Sequence, residues 1–123
     1  MRAGDTFRLQ GVADKHTWVV VSDPDQNPSQ VYCVAFTSYN VSKDSTCIIQ
    51  PDEFPLLTHS TCIDYFDVKI LSVAALDGGI KKGLIQKRTP VPPELLRKIR
   101  DGFNSTRDTR FEYIAFLIAQ GVI

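Results

Sequence analysis

The sequence predicts a mainly β fold with C-terminal helices: a small antiparallel barrel of about six strands over residues 1–88, then a helical extension over 89–123 holding two short α-helices. Three observations carry this. Short β-branched and aromatic runs recur through the first seventy residues, separated by turn residues. The pattern stops after Leu71, and a proline cluster then precedes two apolar stretches of helical character. At 123 residues the chain is long enough for one continuous core and too short for two typical domains joined by a linker.

Thr6-Phe7-Arg8-Leu9 is the candidate first strand. Trp18-Val19-Val20-Val21 is apolar throughout, which marks a central strand covered on both faces, and the following Asp23-Pro24-Asp25-Gln26-Asn27-Pro28 is a loop. Val31 to Ser38 forms the next strand, and Lys43-Asp44-Ser45 punctuates before Thr46-Cys47-Ile48-Ile49. Pro51 and Pro55 bracket a rigid connection ahead of Thr61–Tyr65 and Val68–Leu71. Asp77-Gly78-Gly79 is read as a turn, and Ile80–Lys87 as an edge strand whose lysines discourage further pairing. Pro90, Pro92 and Pro93 suit the first turn of a helix with Leu95, Leu96, Ile99 and Phe103 as its apolar stripe, ended by Gly102 and Asn104. Thr109-Arg110-Phe111-Glu112 has the form of a capping box for a last helix that is apolar almost all round. Burial against the barrel or in a dimer interface is therefore expected, with Gly121 as the stop.

Composition bounds the function. No apolar run approaches the roughly 18 residues that cross a bilayer. Met1-Arg2-Ala3-Gly4-Asp5 lacks the apolar core of a secretory signal, so a cytoplasmic location is expected. Cys33, Cys47 and Cys62 are odd in number and each lies in an apolar or β-branched stretch, which favours buried free thiols. With His16 and His59 as the chain's two histidines and no close-spaced cysteine pair, no metal site and no cofactor are expected. The charge is uneven: residues 1–75 carry five basic against nine acidic side chains, and the remainder nine against five. Contacts to a phosphate backbone are therefore expected to draw on the C-terminal part.

Gly4-Asp5 at the first strand, His16-Thr17-Trp18-Val19-Val20-Val21-Ser22 after a polar loop, and Val31-Tyr32-Cys33-Val34-Ala35-Phe36-Thr37-Ser38 after a second resemble, over roughly residues 4–50, the MazF/PemK/Kid-type toxins. The resemblance implies an SH3-like barrel and metal-independent cleavage of single-stranded RNA, in which a base activates the ribose 2′-OH while an Arg and a Thr stabilise the phosphorane. It also implies a homodimer held inactive by a small antitoxin protein. Thr37 matches the family's catalytic Thr. His16 stands at its catalytic Arg and Thr17 at the adjoining Pro, two departures. His loses the permanent two-pronged charge but is the side chain best suited to proton transfer near neutral pH.

Thr58-His59-Ser60-Thr61 places a second histidine just before a strand, hence at the barrel rim, where closure of the sheet would bring it towards His16. Two histidines flanking a phosphodiester permit base-and-acid cleavage, with Thr37, Ser38 or Lys43 as donors to the phosphate. The site expected is therefore His16, Thr37, Ser38 and His59, with Lys15, Lys43, Lys81 and Lys82 binding RNA. Tyr32, Tyr39, Phe36, Phe54 and Trp18 are potential stacking residues, with Trp18 and Phe36 assigned to the core by strand alternation. Ser22-Asp23 lacks the context of a hydrolase triad. The competing reading is a non-catalytic barrel that binds a protein or nucleic acid, in which His16 points away from Thr37 or Trp18 and its neighbours fill the groove. The acidic balance of the barrel half favours that alternative.

Overall fold

The structure is a computed structural model that describes residues 1–10 and 15–123. Six strands, β1 (Thr6–Leu9), β2 (Trp18–Val20), β3 (Gln30–Ser38), β4 (Ile48–Ile49), β5 (Thr61–Ser72) and β6 (Ile85–Arg88), form one antiparallel sheet in the order β4-β5-β3-β2-β1-β6. The edge strands β4 and β6 do not pair with one another, so the sheet is open where a closed barrel was expected. β4 is two residues long and cannot span the gap, and the C-terminal helices occupy one face of the sheet.

Period-two alternation sorts the strands onto two faces. Val19, Val21, Tyr32, Val34, Phe36, Ile63 and Tyr65 face one core, while Phe7, Trp18, Val20, Val31, Cys33 and Ala35 face the other. That two-sided burial is why β2 reads as an uninterrupted apolar run. The two runs Thr61–Tyr65 and Val68–Leu71 are a single strand, β5, whose register against β3 shifts between Cys33 and Ala35. The extra residues accumulate on β5, where Phe66 is turned out to solvent.

Three helices follow rather than two. α1 (Val73–Lys81) covers the Phe7/Trp18 face through Leu76, α2 (Pro93–Gly102) covers the other through Leu95 and Ile99, and α3 (Phe111–Ala119) joins α2 through Leu117. α1 runs through the expected Asp77-Gly78-Gly79 turn. Ser72 caps its start, accepting a hydrogen bond from the Ala75 amide at 3.2 Å, and Gly79 serves close packing: a Cβ there would lie 2.6 Å from Cδ1 of Ile85 on β6. The expected capping box of α3 is not formed, because Thr109 donates its hydroxyl to the Tyr65 carbonyl at 2.7 Å and Arg110 becomes the N-cap. α3 is also less buried than its composition suggests. Leu117 is inaccessible and Phe116 stacks on Tyr32 at 4.1 Å, but Phe111 and Ile118 are exposed. Since Val91, Leu95, Ile99, Phe103 and Leu117 complete the sheet's larger core, residues 89–123 are part of that core and no appendage to it.

Cys33, Cys47 and Cys62 are buried free thiols. Burial pushes Cys33 up to about 12 and Cys47 up to about 11, which leaves both protonated and chemically quiet. No helix among the described residues is long and apolar enough to cross a membrane.

Candidate functional site

The strand ends that carry the polar residues meet at one end of the sheet. Trp18 stands opposite Ala35, and the Phe36 amide donates to the Thr17 carbonyl at 2.9 Å, so the β2–β3 ladder runs one residue beyond β2. Continuing that register sets His16 opposite Thr37. On the other side of β3, Thr37 pairs with Cys62 and Ser38 with Thr61, and the Tyr39 amide donates to the Ser60 carbonyl at 3.1 Å. His59 therefore arrives at the same end from β5. The three central strands deliver His16, Thr37, Ser38 and His59 to one locus, and barrel closure is not needed to do it.

These residues line an open groove of about 380 Å³, shared with Lys15, Thr17, Lys43, Leu56, Leu57 and Arg88. The volume lies within the range of roughly 300–1,000 Å³ typical of ligand sites. Inside it the hydrogen bonds form two short chains. Ser38 Oγ lies 2.6 Å from His59 Nε2, and Thr58 Oγ1 lies 3.0 Å from His59 Nδ1, so both ring nitrogens are engaged and the ring plane is held. Lys43 Nζ donates to Thr37 Oγ1 at 2.8 Å and to the Ser38 carbonyl at 2.6 Å.

The loop that carries Lys43 is tied down behind the groove. Asp44 accepts hydrogen bonds from the Thr46 amide at 2.9 Å and from the Thr106 hydroxyl at 2.7 Å, which links the loop to the segment between α2 and α3. Burial opposes ionisation of Asp44, but these hydrogen bonds outweigh it and hold its carboxyl below the usual carboxylate range. Asp108 shifts the other way, raised by burial and by the neighbouring Asp44 charge.

The groove is electropositive. Lys15, Lys43 and Arg88 line it together with both histidines, and no carboxylate among the described residues does. The acidic surplus of residues 1–75 thus does not reach the groove lining itself, although Thr37 and Lys43 also border an adjoining pocket with Asp44, Asp64 and Asp108. The C-terminal cations divide between the groove and other surfaces. Lys81 and Lys82, at the end of α1, are exposed and lie outside the groove. Lys98 is committed to the Ile48 carbonyl at 2.7 Å and to Glu53 at 2.8 Å, and Arg100 to the Val21 carbonyl at 2.8 Å. Arg88 alone reaches the groove from that half.

Other expectations resolve into packing. Trp18, Tyr32, Phe36 and Phe54 are core residues, although one edge of Phe36 reaches the groove, and none offers a free stacking face. Ser22 is buried and its Oγ accepts from the Tyr32 amide at 2.9 Å, a structural role. Two groove features were not legible as functional in the sequence. Leu56 and Leu57 follow the proline-bracketed connection in a stretch with no pattern of its own, and Arg88 falls one position beyond the expected edge strand. Extending that strand by one residue would have found Arg88. The leucines carry no signal of their own.

No protein-family model matches the chain, and no curated protein matches it.

Proposed function

We propose that the chain is an endoribonuclease that cleaves single-stranded RNA without a metal, a divergent member of the MazF/PemK/Kid-type superfamily with an opened-out version of its SH3-like sheet. The observation that carries this reading is the convergence of His16, Thr37, Ser38 and His59 in one electropositive groove. Cations, imidazoles and hydroxyls are the groups that in-line attack of a 2′-OH on a phosphodiester requires. One imidazole takes the 2′-OH proton as the oxygen attacks phosphorus, and the other returns a proton to the departing 5′ oxygen. Lys43 and Thr37, already joined at 2.8 Å, face the charge that builds on the non-bridging oxygens. Three cations in the groove neutralise the substrate and repel a divalent cation, so charge stabilisation falls to side chains.

Leu56 and Leu57 supply an apolar wall beside the polar floor, suited to the face of an unstacked base. The partners are single-stranded RNA, a small antitoxin protein and a second copy of the chain, and the exposed Phe111 and Ile118 on α3 offer one apolar surface to a protein partner.

Thr37→Ala tests the reading. Incubated with a mixed single-stranded RNA in chelator, the wild type yields discrete cuts. The variant, losing a hydroxyl donor on the phosphorane, cuts at least tenfold more slowly with unchanged thermal stability. RNA binding with no cutting by the wild type would favour the non-catalytic module instead.

A further inference from the structure

We propose that Arg88 is the phosphate clamp of the groove, gripping the scissile phosphodiester through its planar guanidinium; this rests on the ribonuclease reading above. The three groove cations differ in what they are free to do. Lys43 spends two of its three N–H donors on Thr37 Oγ1 and the Ser38 carbonyl, so it acts through those groups. Lys15 is exposed and precedes β2, outside the hydrogen-bonded ladder. Arg88 is half-buried, and among the described residues its guanidinium makes no hydrogen bond or ion pair.

Its backbone is fixed. Arg88 stands opposite Thr6 on β1, the Thr6 hydroxyl donates to the Thr89 carbonyl at 2.7 Å, and the Val91 amide donates to the Gly4 carbonyl at 2.9 Å. Its neighbour Lys87 is spent on the buried Asp5 at 3.3 Å. Among the described residues it is thus the one five-donor fork in the groove, mounted on a paired strand, partly desolvated and with no side-chain partner. A guanidinium so placed matches the paired oxygens of a phosphodiester, which a lysine ammonium does not. The anion it fits is a phosphate of the nucleic-acid backbone, because the surrounding lining combines further cations, hydroxyl donors and an apolar wall.

Arg88→Ala, Arg88→Lys and, as a cation outside the groove, Arg107→Ala are compared in two assays: cleavage of single-stranded RNA, and salt-dependent binding of a 2′-O-methyl oligonucleotide that cannot be cleaved. The expected result is a loss of about 100-fold in kcat/KM for Arg88→Ala, with little recovery in Arg88→Lys and no change in Arg107→Ala. In binding, the slope of log K against log salt falls by about 0.7 for Arg88→Ala, the loss of one phosphate contact on a single strand. Full cleavage and an unchanged slope in Arg88→Ala would overturn the clamp while leaving the nuclease intact. If the wild type binds but never cuts, the nuclease reading fails and the slope alone decides for or against Arg88. If the wild type neither cuts nor binds, both are overturned.

Discussion

Replacing His59 by alanine lowers kcat/KM for single-stranded RNA by about 10²- to 10⁴-fold, and His16→Ala has an effect of the same order, the range for removal of a positioned acid or base. The geometry supports a large effect at His59 because its ring is held on both nitrogens, by Ser38 at 2.6 Å and Thr58 at 3.0 Å. His16 stands at the register position opposite Thr37, across the same groove. If one ring is base and the other acid, the wild type has a bell-shaped pH dependence of kcat/KM and each single variant loses one limb. The double variant is then little worse than either single one, since the two act on one transition state. Steady-state kinetics across pH checks this. A monotonic profile in the wild type, or full activity in both variants, would remove the histidines from the mechanism.

Gly102→Ala costs about 3 kcal/mol of stability, the net of overpacking and a broken buried hydrogen bond against the better helix propensity of alanine. Gly102 ends α2 directly over Tyr65, and a Cβ at that position would overlap the Tyr65 hydroxyl. The tyrosine cannot retreat. It is fully buried, its hydroxyl donates to the Ile99 carbonyl at 2.7 Å, and its ring meets Phe103 edge-on at 4.8 Å. Burial pushes the Tyr65 phenol well above its usual range, so the hydroxyl remains a donor throughout the working pH range. A urea midpoint shifted downwards with unchanged slope is the expected result, and adding Tyr65→Phe to Gly102→Ala recovers part of the loss. An unchanged midpoint in Gly102→Ala would mean that the helix-to-sheet packing is looser than these contacts imply.

The strands were legible where alternation was strong. β2 and β3 carry uninterrupted apolar or alternating runs, and both lie where the pattern set them. α1 was hidden because Asp77-Gly78-Gly79 has the composition of a turn, while the reason for its helical state, Ser72 at the cap and Ile85 against Gly79, is tertiary. Closure of the sheet depends on how far β4 extends and where the helices dock, and neither is a local property. At the site, His16 and Thr37 were picked out by the resemblance to the toxin motif, and β2–β3 register sets them opposite one another; His59 was picked out because it lies just before a strand, which pairs with β3. The local charge of the groove was not readable. Summing charges over residues 1–75 made the sheet look acidic, yet Asp23, Asp44 and Glu53 face loops and helices, and Arg88 comes from a strand distant in sequence.

The most direct test of the central claim is cleavage, in chelator, of one RNA oligonucleotide synthesised twice, once as all-ribose and once with a single 2′-deoxy residue at the mapped cut. Attack by the 2′-OH predicts 2′,3′-cyclic phosphate and 5′-hydroxyl ends from the first and no cut at that position in the second. Equal cutting of both, or cutting that requires an added divalent cation, would contradict the account.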